Sequence, residues 1–257
     1  MLHPDPGRID LWCVFCNSVT EDEALGRYLQ LLNEAERTQQ ARFHFARDRH
    51  RYLLTRALVR TALSKYVQID AADWRFTQNS YGRPEIANDD THSRALSFNI
   101  THTDKLVVLG VTRDRAIGVD TEDAGSRQAP LDIADRYFAP EEVACLRSLP
   151  IEQQPQRFFQ YWTLKESYIK ARGMGLSIPL HRFAFEFPND SRIRFTTDPQ
   201  LQDASSRWQF WQLAVGAGHL LAVCAQRLAD PGPTLALRHI VPLVSESELE
   251  YRTVARS

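Results

Sequence analysis

The stretch Ile117-Gly118-Val119-Asp120-Thr121-Glu122 is the centre around which the rest of the chain can be organised. Its apolar and β-branched residues predict a strand over residues 116–121. Side chains at positions i and i+2 of a strand project from the same face, so Asp120 and Glu122 would lie side by side. Two neighbouring carboxylates repel each other unless a cation holds them, and their oxygen atoms suit Mg²⁺ or Mn²⁺. The alternative is a strand end with two ordinary solvated acids.

A second stretch, Trp162-Thr163-Leu164-Lys165-Glu166-Ser167-Tyr168-Ile169-Lys170, falls within a predicted helix over residues 156–172. Gly173 and Gly175 would end this helix. Glu166 and Lys170 are four residues apart and therefore share one helix face. There they could supply a third metal ligand and a cation for a phosphate group. The alternative is a surface ion pair, worth about 0.2–0.5 kcal/mol.

Three further features offer contacts for a phosphorylated ligand. Tyr81-Gly82-Arg83-Pro84 is a turn, and Phe98-Asn99-Ile100-Thr101-His102-Thr103 leads into the turn of a predicted hairpin. Residues 37–60 hold seven arginines against one aspartate. In a nearly neutral chain, this local positive charge fits a polyphosphate ligand. The alternative is that most of these side chains form a solvated surface.

The composition excludes several classes of protein. The 257 residues include 31 basic and 32 acidic side chains, so no overall field attracts nucleic acid. Four cysteines are too few for a disulfide scaffold. The N-terminus lacks the regions of a signal peptide, and the longest apolar runs are far below the ~18 residues that a membrane span needs. We expect a cytoplasmic protein with neither a nucleic-acid nor a membrane partner.

The predicted elements occur in two similar cycles of strand, helices and hairpin. Shifting the chain by 110 residues places Tyr52, Leu54 and Leu58 of a predicted helix over residues 47–66 on Trp162, Leu164 and Tyr168. The sequence thus predicts an α+β protein with two similar subdomains, residues 1–115 and 116–257. Residues from about 231 to 257 are expected to be a loose tail. Because binding sites often lie between subdomains, the ligand site is expected there.

Four of these stretches, taken in chain order, resemble one family, the 4′-phosphopantetheinyl transferases of the surfactin-synthetase-activating (Sfp) type. They are the turn at residues 81–84, the stretch at 98–103 and the two longer motifs at 117–122 and 162–170. The resemblance extends over residues 34–187. The motif at residues 162–170 continues into Gly173-Met174-Gly175-Leu176, as it does in the family. Three positions depart from the family pattern. Arg83 stands where the turn usually has lysine, and Thr101 and Thr103 replace serines on either side of His102.

The resemblance implies two α+β subdomains related by a pseudo-twofold axis, with the active site in the cleft between them. It implies transfer of the 4′-phosphopantetheine arm of coenzyme A to a serine of an apo acyl, peptidyl or aryl carrier protein, with release of adenosine 3′,5′-bisphosphate. Mg²⁺, or Mn²⁺ in its place, would be held by Asp120, Glu122 and Glu166. Glu166 and Lys170 would be catalytic. The residues expected to contact coenzyme A are Arg51, Gly82, Arg83, Pro84, Thr101, His102 and Lys170.

Two other functions remain open on the residues alone. The three acids could serve a metal-dependent phosphodiesterase or nuclease, although Glu122 is not followed by the E-x-K lysine common in such enzymes. The chain could also bind coenzyme A without turnover. The sequence does not name the carrier protein, so fatty acid, polyketide and nonribosomal peptide synthesis are all possible contexts. Since the whole repeat lies in one chain, a monomer suffices.

Overall fold

The computed structural model describes Leu2, residues 5–228, Asp230 and residues 232–257. The chain forms two compact units. The first contains the chain up to Gln78 together with Pro84–Asp114 and Pro233–Leu249, and the second contains Asn79–Arg83, Arg115–Gly232 and Glu250–Ser257. The sequence analysis divided the chain once, at 115/116, whereas each of these units takes segments from both sides of that point.

The first unit is a five-stranded sheet covered by helices. Its elements are β1 (Arg8–Phe15), α1 (Asp22–Leu31), α2 (Glu34–Arg42), α3 (Ala46–Leu63), β2 (Phe76–Gln78), β3 (Pro84–Ile86), α4 (Thr91–Arg94), β4 (Leu96–His102), β5 (Leu106–Arg113), β11 (Thr234–Val241) and β12 (Ser245–Glu248). The sheet order is β12-β11-β1-β5-β4, and β2 and β3 form a separate ribbon. The core lies between α3 and the sheet, where Leu54, Leu58, Val107 and Leu109 are fully buried.

The second unit is a six-stranded sheet with one long helix against it. Its elements are β6 (Ile117–Asp123), α5 (Ala134–Tyr137), α6 (Pro140–Ser148), α7 (Gln154–Arg172), β7 (Phe183–Asn189), β8 (Arg192–Thr197), β9 (Trp208–Val215), β10 (His219–Gln226) and β13 (Tyr251–Arg256). The sheet order is β6-β10-β9-β13-β8-β7. Helix α7 ends at Gly173, whose φ of 68° is the left-handed conformation of a glycine C-cap.

The predicted α+β class with two similar halves is confirmed. In the first unit β1 pairs antiparallel with β5, which pairs with β4. In the second unit β6 pairs antiparallel with β10, which pairs with β9. In both, a strand precedes the helices and then pairs with the second strand of the hairpin that follows them.

The prediction of a loose C-terminal tail is wrong for the part that the structure describes; Pro231, near its start, lies outside the described residues. Strand β11 pairs parallel with β1, joining Thr234 to Arg8 in register. Strand β13 is inserted between β9 and β8. Local sequence could not show this because the pairing partners are distant in the chain, and β12 is exposed along its whole length.

No helix in the described ranges is long and apolar enough to cross a membrane.

Candidate active site

Close contact between β6 and α7 brings the candidate carboxylates and lysine together. Gly118 is on the same face of β6 as Asp120, and this face meets α7. A Cβ atom on Gly118 would lie 2.0 Å from the carbonyl oxygen of Ser167 and 2.4 Å from the backbone nitrogen of Ala171. Only glycine permits so close an approach of strand and helix. The sequence analysis gave Gly118 no role, although a glycine inside a strand signals such an approach.

Lys170 forms an ion pair with Asp120. Its Nζ lies 2.6 Å from Oδ1 of the buried Asp120 and also donates a hydrogen bond of 3.2 Å to the carbonyl of Val119. The side chain is still 27% exposed, so the ammonium group can also reach a ligand. The helix face predicted from the four-residue spacing therefore does meet the strand that carries the acids.

Glu122 forms an ion pair with Arg127, which was not among the predicted site residues. The distance from Nη1 of Arg127 to Oε2 of Glu122 is 2.6 Å. Burial raises the pKa of Glu122; Arg127 opposes this shift and the negative charge of Asp120 adds to it. The only signal in the sequence was a basic residue shortly after the strand.

The side chain of Glu166 makes neither a hydrogen bond nor an ion pair within the described residues. Burial raises its pKa to about 7, the negative charges of Asp120 and Glu122 raise it too, and Lys170 lowers it. The carboxylates of Asp120 and Glu122 are thus close enough to Glu166 to influence its protonation. A carboxyl group that titrates near neutrality can exchange a proton under physiological conditions.

The carboxylates do not form a ready-made metal site. Within the part of the chain that the structure describes, no group of three or more His, Cys, Asp or Glu residues is arranged to hold a metal ion. Lys170 and Arg127 instead neutralise two of the three acids. The chemistry of the donor set nevertheless fits a hard divalent cation, because the negative charges of Asp120 and Glu122 raise the pKa of Glu166 and a cation would offset this repulsion.

The turn that contains Gly82 and Arg83 anchors the end of α7. Gly82 has a φ of 83°, which favours glycine. The guanidinium group of Arg83 donates to the carbonyls of Lys170 at 2.5 Å, Ala171 at 3.2 Å and Ile117 at 3.1 Å. It thus satisfies carbonyls at the helix C-terminus. Pro84 begins β3 in the first unit, where it pairs with Gln78.

The remaining candidates lie in the first unit around the turn between β4 and β5. Arg51, on α3, binds Asp48 at 2.8 Å and Asp104 of that turn at 2.5 Å. Thr101 is buried and His102 is exposed at the end of β4. The structure therefore places Arg51 beside the turn that follows His102, as a shared ligand site would require.

Lys165, next to Glu166 in the sequence, is structural. Its side chain is 1% exposed, and Nζ lies 2.7 Å from the buried carboxylate of Glu142. The same ammonium group donates to the carbonyls of Leu180 and Phe183. Burial lowers the pKa of Lys165, and the charge of Glu142 opposes that shift. This ion pair attaches α7 to α6, while Glu166 and Lys170 are directed to β6.

Comparisons with known proteins agree with the motifs. Residues 116–224 match the family model of the 4′-phosphopantetheinyl transferase superfamily, and residues 20–113 match the model described as "4′-phosphopantetheinyl transferase, N-terminal". 4′-Phosphopantetheinyl transferase Sfp of Bacillus subtilis is 31% identical over 216 residues, covering 84% of this chain and 91% of its own length. A phosphopantetheinyl transferase of Thraustochytrium is 26% identical over 258 residues, covering 95% and 88%. 4′-Phosphopantetheinyl transferase HetI of Nostoc is 36% identical over 146 residues, covering 57% and 61%.

Proposed function

The chain belongs to the 4′-phosphopantetheinyl transferase superfamily, and we propose that it uses Mg²⁺ to transfer the phosphopantetheine arm of coenzyme A to a serine of an apo carrier protein. Adenosine 3′,5′-bisphosphate is the second product. The observation that carries this proposal is the cluster of Asp120, Glu122, Glu166 and Lys170 at the contact of β6 with α7. Membership of a transferase family favours this function over a nuclease or a binding module without turnover.

The reaction needs charge neutralisation and positioning more than covalent catalysis. The serine oxygen forms a bond to the phosphorus that carries the pantetheine arm, while the bond from that phosphorus to the leaving nucleotide oxygen breaks. Both the phosphorus and the leaving group are anionic, so preorganised positive charge lowers the barrier. Lys170 supplies such a charge, and in this structure it is paired with Asp120.

Glu166 is the proposed acceptor of the serine proton, either directly or through a water molecule. Its pKa of about 7 is matched to a base that works near neutral pH. Coordination of a metal would stabilise the ionised form and lower that pKa. The two proposed roles of Glu166 therefore predict different pH profiles of transfer: the acidic limb, which follows ionisation of Glu166, should lie at lower pH when the divalent cation is saturating.

Asp120, Glu122 and Glu166 are the proposed Mg²⁺ ligands. A bound Mg²⁺ would neutralise the pyrophosphate oxygens and orient the leaving group. To reach this state, Arg127 must release Glu122, and Lys170 must share or release Asp120. Arg127 can turn away readily because 56% of its side chain is exposed. Arg51, Gly82, Arg83, Pro84, Thr101 and His102 remain the proposed contacts to coenzyme A, with the hydrogen bonds of Arg83 to α7 limiting how far its guanidinium can move.

The test is intact-mass spectrometry of apo acyl, peptidyl and aryl carrier proteins incubated with the enzyme, coenzyme A and Mg²⁺. We expect the mass gain of one phosphopantetheine group and its loss on addition of a chelator. Glu166→Ala should abolish transfer, whereas the control Glu186→Ala, an exposed acid of β7, should not. No mass gain on any carrier class would overturn the proposal.

A further inference from the structure

A second polar pocket lies in the second unit, away from the candidate active site. It has a volume of about 390 Å³ and is formed by the first turns of α7, the turn between β7 and β8, and β13. Leu149 and Val254 contribute apolar wall, and Arg157, Gln160, Asp190 and Arg252 are among its polar lining. Arg157 and Lys170 are 13 residues apart in α7, so about 20 Å of helix separates this pocket from the catalytic lysine.

Gln160 presents a side-chain amide to the pocket. The residue is only 6% exposed, and its side-chain amide makes no hydrogen bond to any residue that the structure describes. The amide atoms are not among the buried unpartnered atoms of the core, so they are accessible from the pocket. Because this amide lines the pocket and has no partner among the described residues, its donors and its acceptor are available to a molecule inside the pocket.

Arg157 is a positioned cation with unused donors. Its guanidinium lies over the ring of Phe187, 4.3 Å from the centroid, and 5.9 Å from the centroid of Tyr161. These ring contacts restrict the side chain but leave its N–H groups available. Within the described ranges, neither Arg157 nor Arg252 forms a side-chain hydrogen bond or ion pair.

The electrostatics of the pocket favour an anion. Two arginines line it, and Asp190 is the one acid among its described lining residues. The pocket also faces the N-terminal half of α7, a helix of 19 residues, where the helix dipole adds positive potential. We propose that this pocket binds a phosphate group, held by Arg157, Arg252 and the amide of Gln160. Phosphate is favoured over carboxylate because it accepts more of these donors at once.

The experiment uses inorganic phosphate as the probe and nuclear magnetic resonance as a local readout. The side-chain amide signals of Gln160, assigned by their loss in Gln160→Leu, should shift saturably as phosphate is added to the ¹⁵N-labelled protein. A parallel titration with acetate should give weaker binding. Because the readout is local to Gln160, ten residues before Lys170 in α7, phosphate bound at the proposed active site is not mistaken for phosphate in this pocket.

Four variants separate the proposal from a general effect of charge. Arg157→Gln and Arg252→Gln should each weaken phosphate binding by about tenfold or more, and Asp190→Asn should strengthen it. Arg194→Gln removes a positive charge from β8 that is already paired with Glu186, and should change nothing. Spectra of each variant report whether it is folded. The proposal is overturned if Gln160 shows no saturable shift, if acetate binds as well as phosphate, or if the pocket variants match Arg194→Gln.

Discussion

Gly118→Ala tests the central claim that contact between two backbones builds the active site. The added Cβ would lie 2.0 Å from the carbonyl oxygen of Ser167, whereas ordinary contact begins at 3.4 Å. The atoms in the way are backbone, so no side-chain rotation relieves the clash. Helix α7 must move away from β6 by about 1.4 Å, the difference between those two distances.

The displacement has consequences for both stability and catalysis. Overpacking of this kind costs about 1–3 kcal/mol, which corresponds to a fall in melting temperature of roughly 2–12 °C for a chain of this size. The ion pair between Lys170 and Asp120, now 2.6 Å long, would open. A misplacement of about 1 Å in a catalytic group can cost ~100-fold in rate.

Two assays measure these effects. Differential scanning fluorimetry reports the melting temperature, and intact-mass spectrometry of a carrier protein reports the transfer rate. Gly26→Ala is the matched control, because nothing lies within 4 Å of its added Cβ and alanine is the better helix former. If Gly118→Ala keeps the melting temperature and transfer rate of the wild type, β6 and α7 are not in close backbone contact at Gly118.

Four further substitutions test individual contacts. The pKa of buried Glu166 is raised from 4.5 to about 7, so its ionisation lowers the stability of the metal-free fold as pH rises through this range. In urea unfolding, Glu166→Gln should therefore be more stable than wild type at about pH 8, by up to about 3 kcal/mol. Near pH 4, where Glu166 is protonated, the two proteins should be equally stable. In Arg83→Lys the side chain cannot keep three carbonyl partners, so the unfolding free energy should fall by about 1–3 kcal/mol. The exposed control Arg94→Lys should not change it. If both variants have the same unfolding free energy, the hydrogen bonds of Arg83 to α7 and β6 contribute nothing to stability. Lys165→Met leaves the carboxylate of Glu142 buried without its cation and should lower the unfolding free energy by about 3–5 kcal/mol in denaturant titration. Adding Glu142→Gln should recover part of this loss. An unchanged unfolding free energy in Lys165→Met would contradict the buried ion pair. Lys170→Arg should slow transfer in the mass assay because a planar guanidinium does not fit the place of a compact ammonium group. An unchanged rate would show that this position does not require an ammonium group.

The expectation for Arg83 changes most when sequence and structure are compared. As a basic residue in a turn, at a position where the family usually has lysine, it suggested a contact to a phosphorylated ligand. The structure shows that its guanidinium caps α7 and reaches β6 through the carbonyl of Ile117. The multiple, directional donors of arginine are what this position uses, and no local pattern indicates which carbonyls lie nearby.

The sequence by itself determined the parts of the site that depend on local geometry. The period of two residues in β6 paired Asp120 with Glu122, and the period of the helix paired Glu166 with Lys170. Glycine after α7 marked its end. These relations hold whatever the rest of the chain does, because strand and helix geometry is set by the backbone.

Only the tertiary structure decided which of these local pairs meet. It joined Lys170 to an acid 50 residues earlier, directed Lys165 into a buried ion pair with Glu142, and brought Arg127 to Glu122. It also paired β11, more than 200 residues later in the chain, with β1. Such contacts depend on long-range packing and on burial, which shift charge, pKa and strand pairing in ways that neighbours in sequence do not encode. Local sequence therefore specified which chemical groups the site contains, while the fold determined their ion pairs and the direction of their pKa shifts.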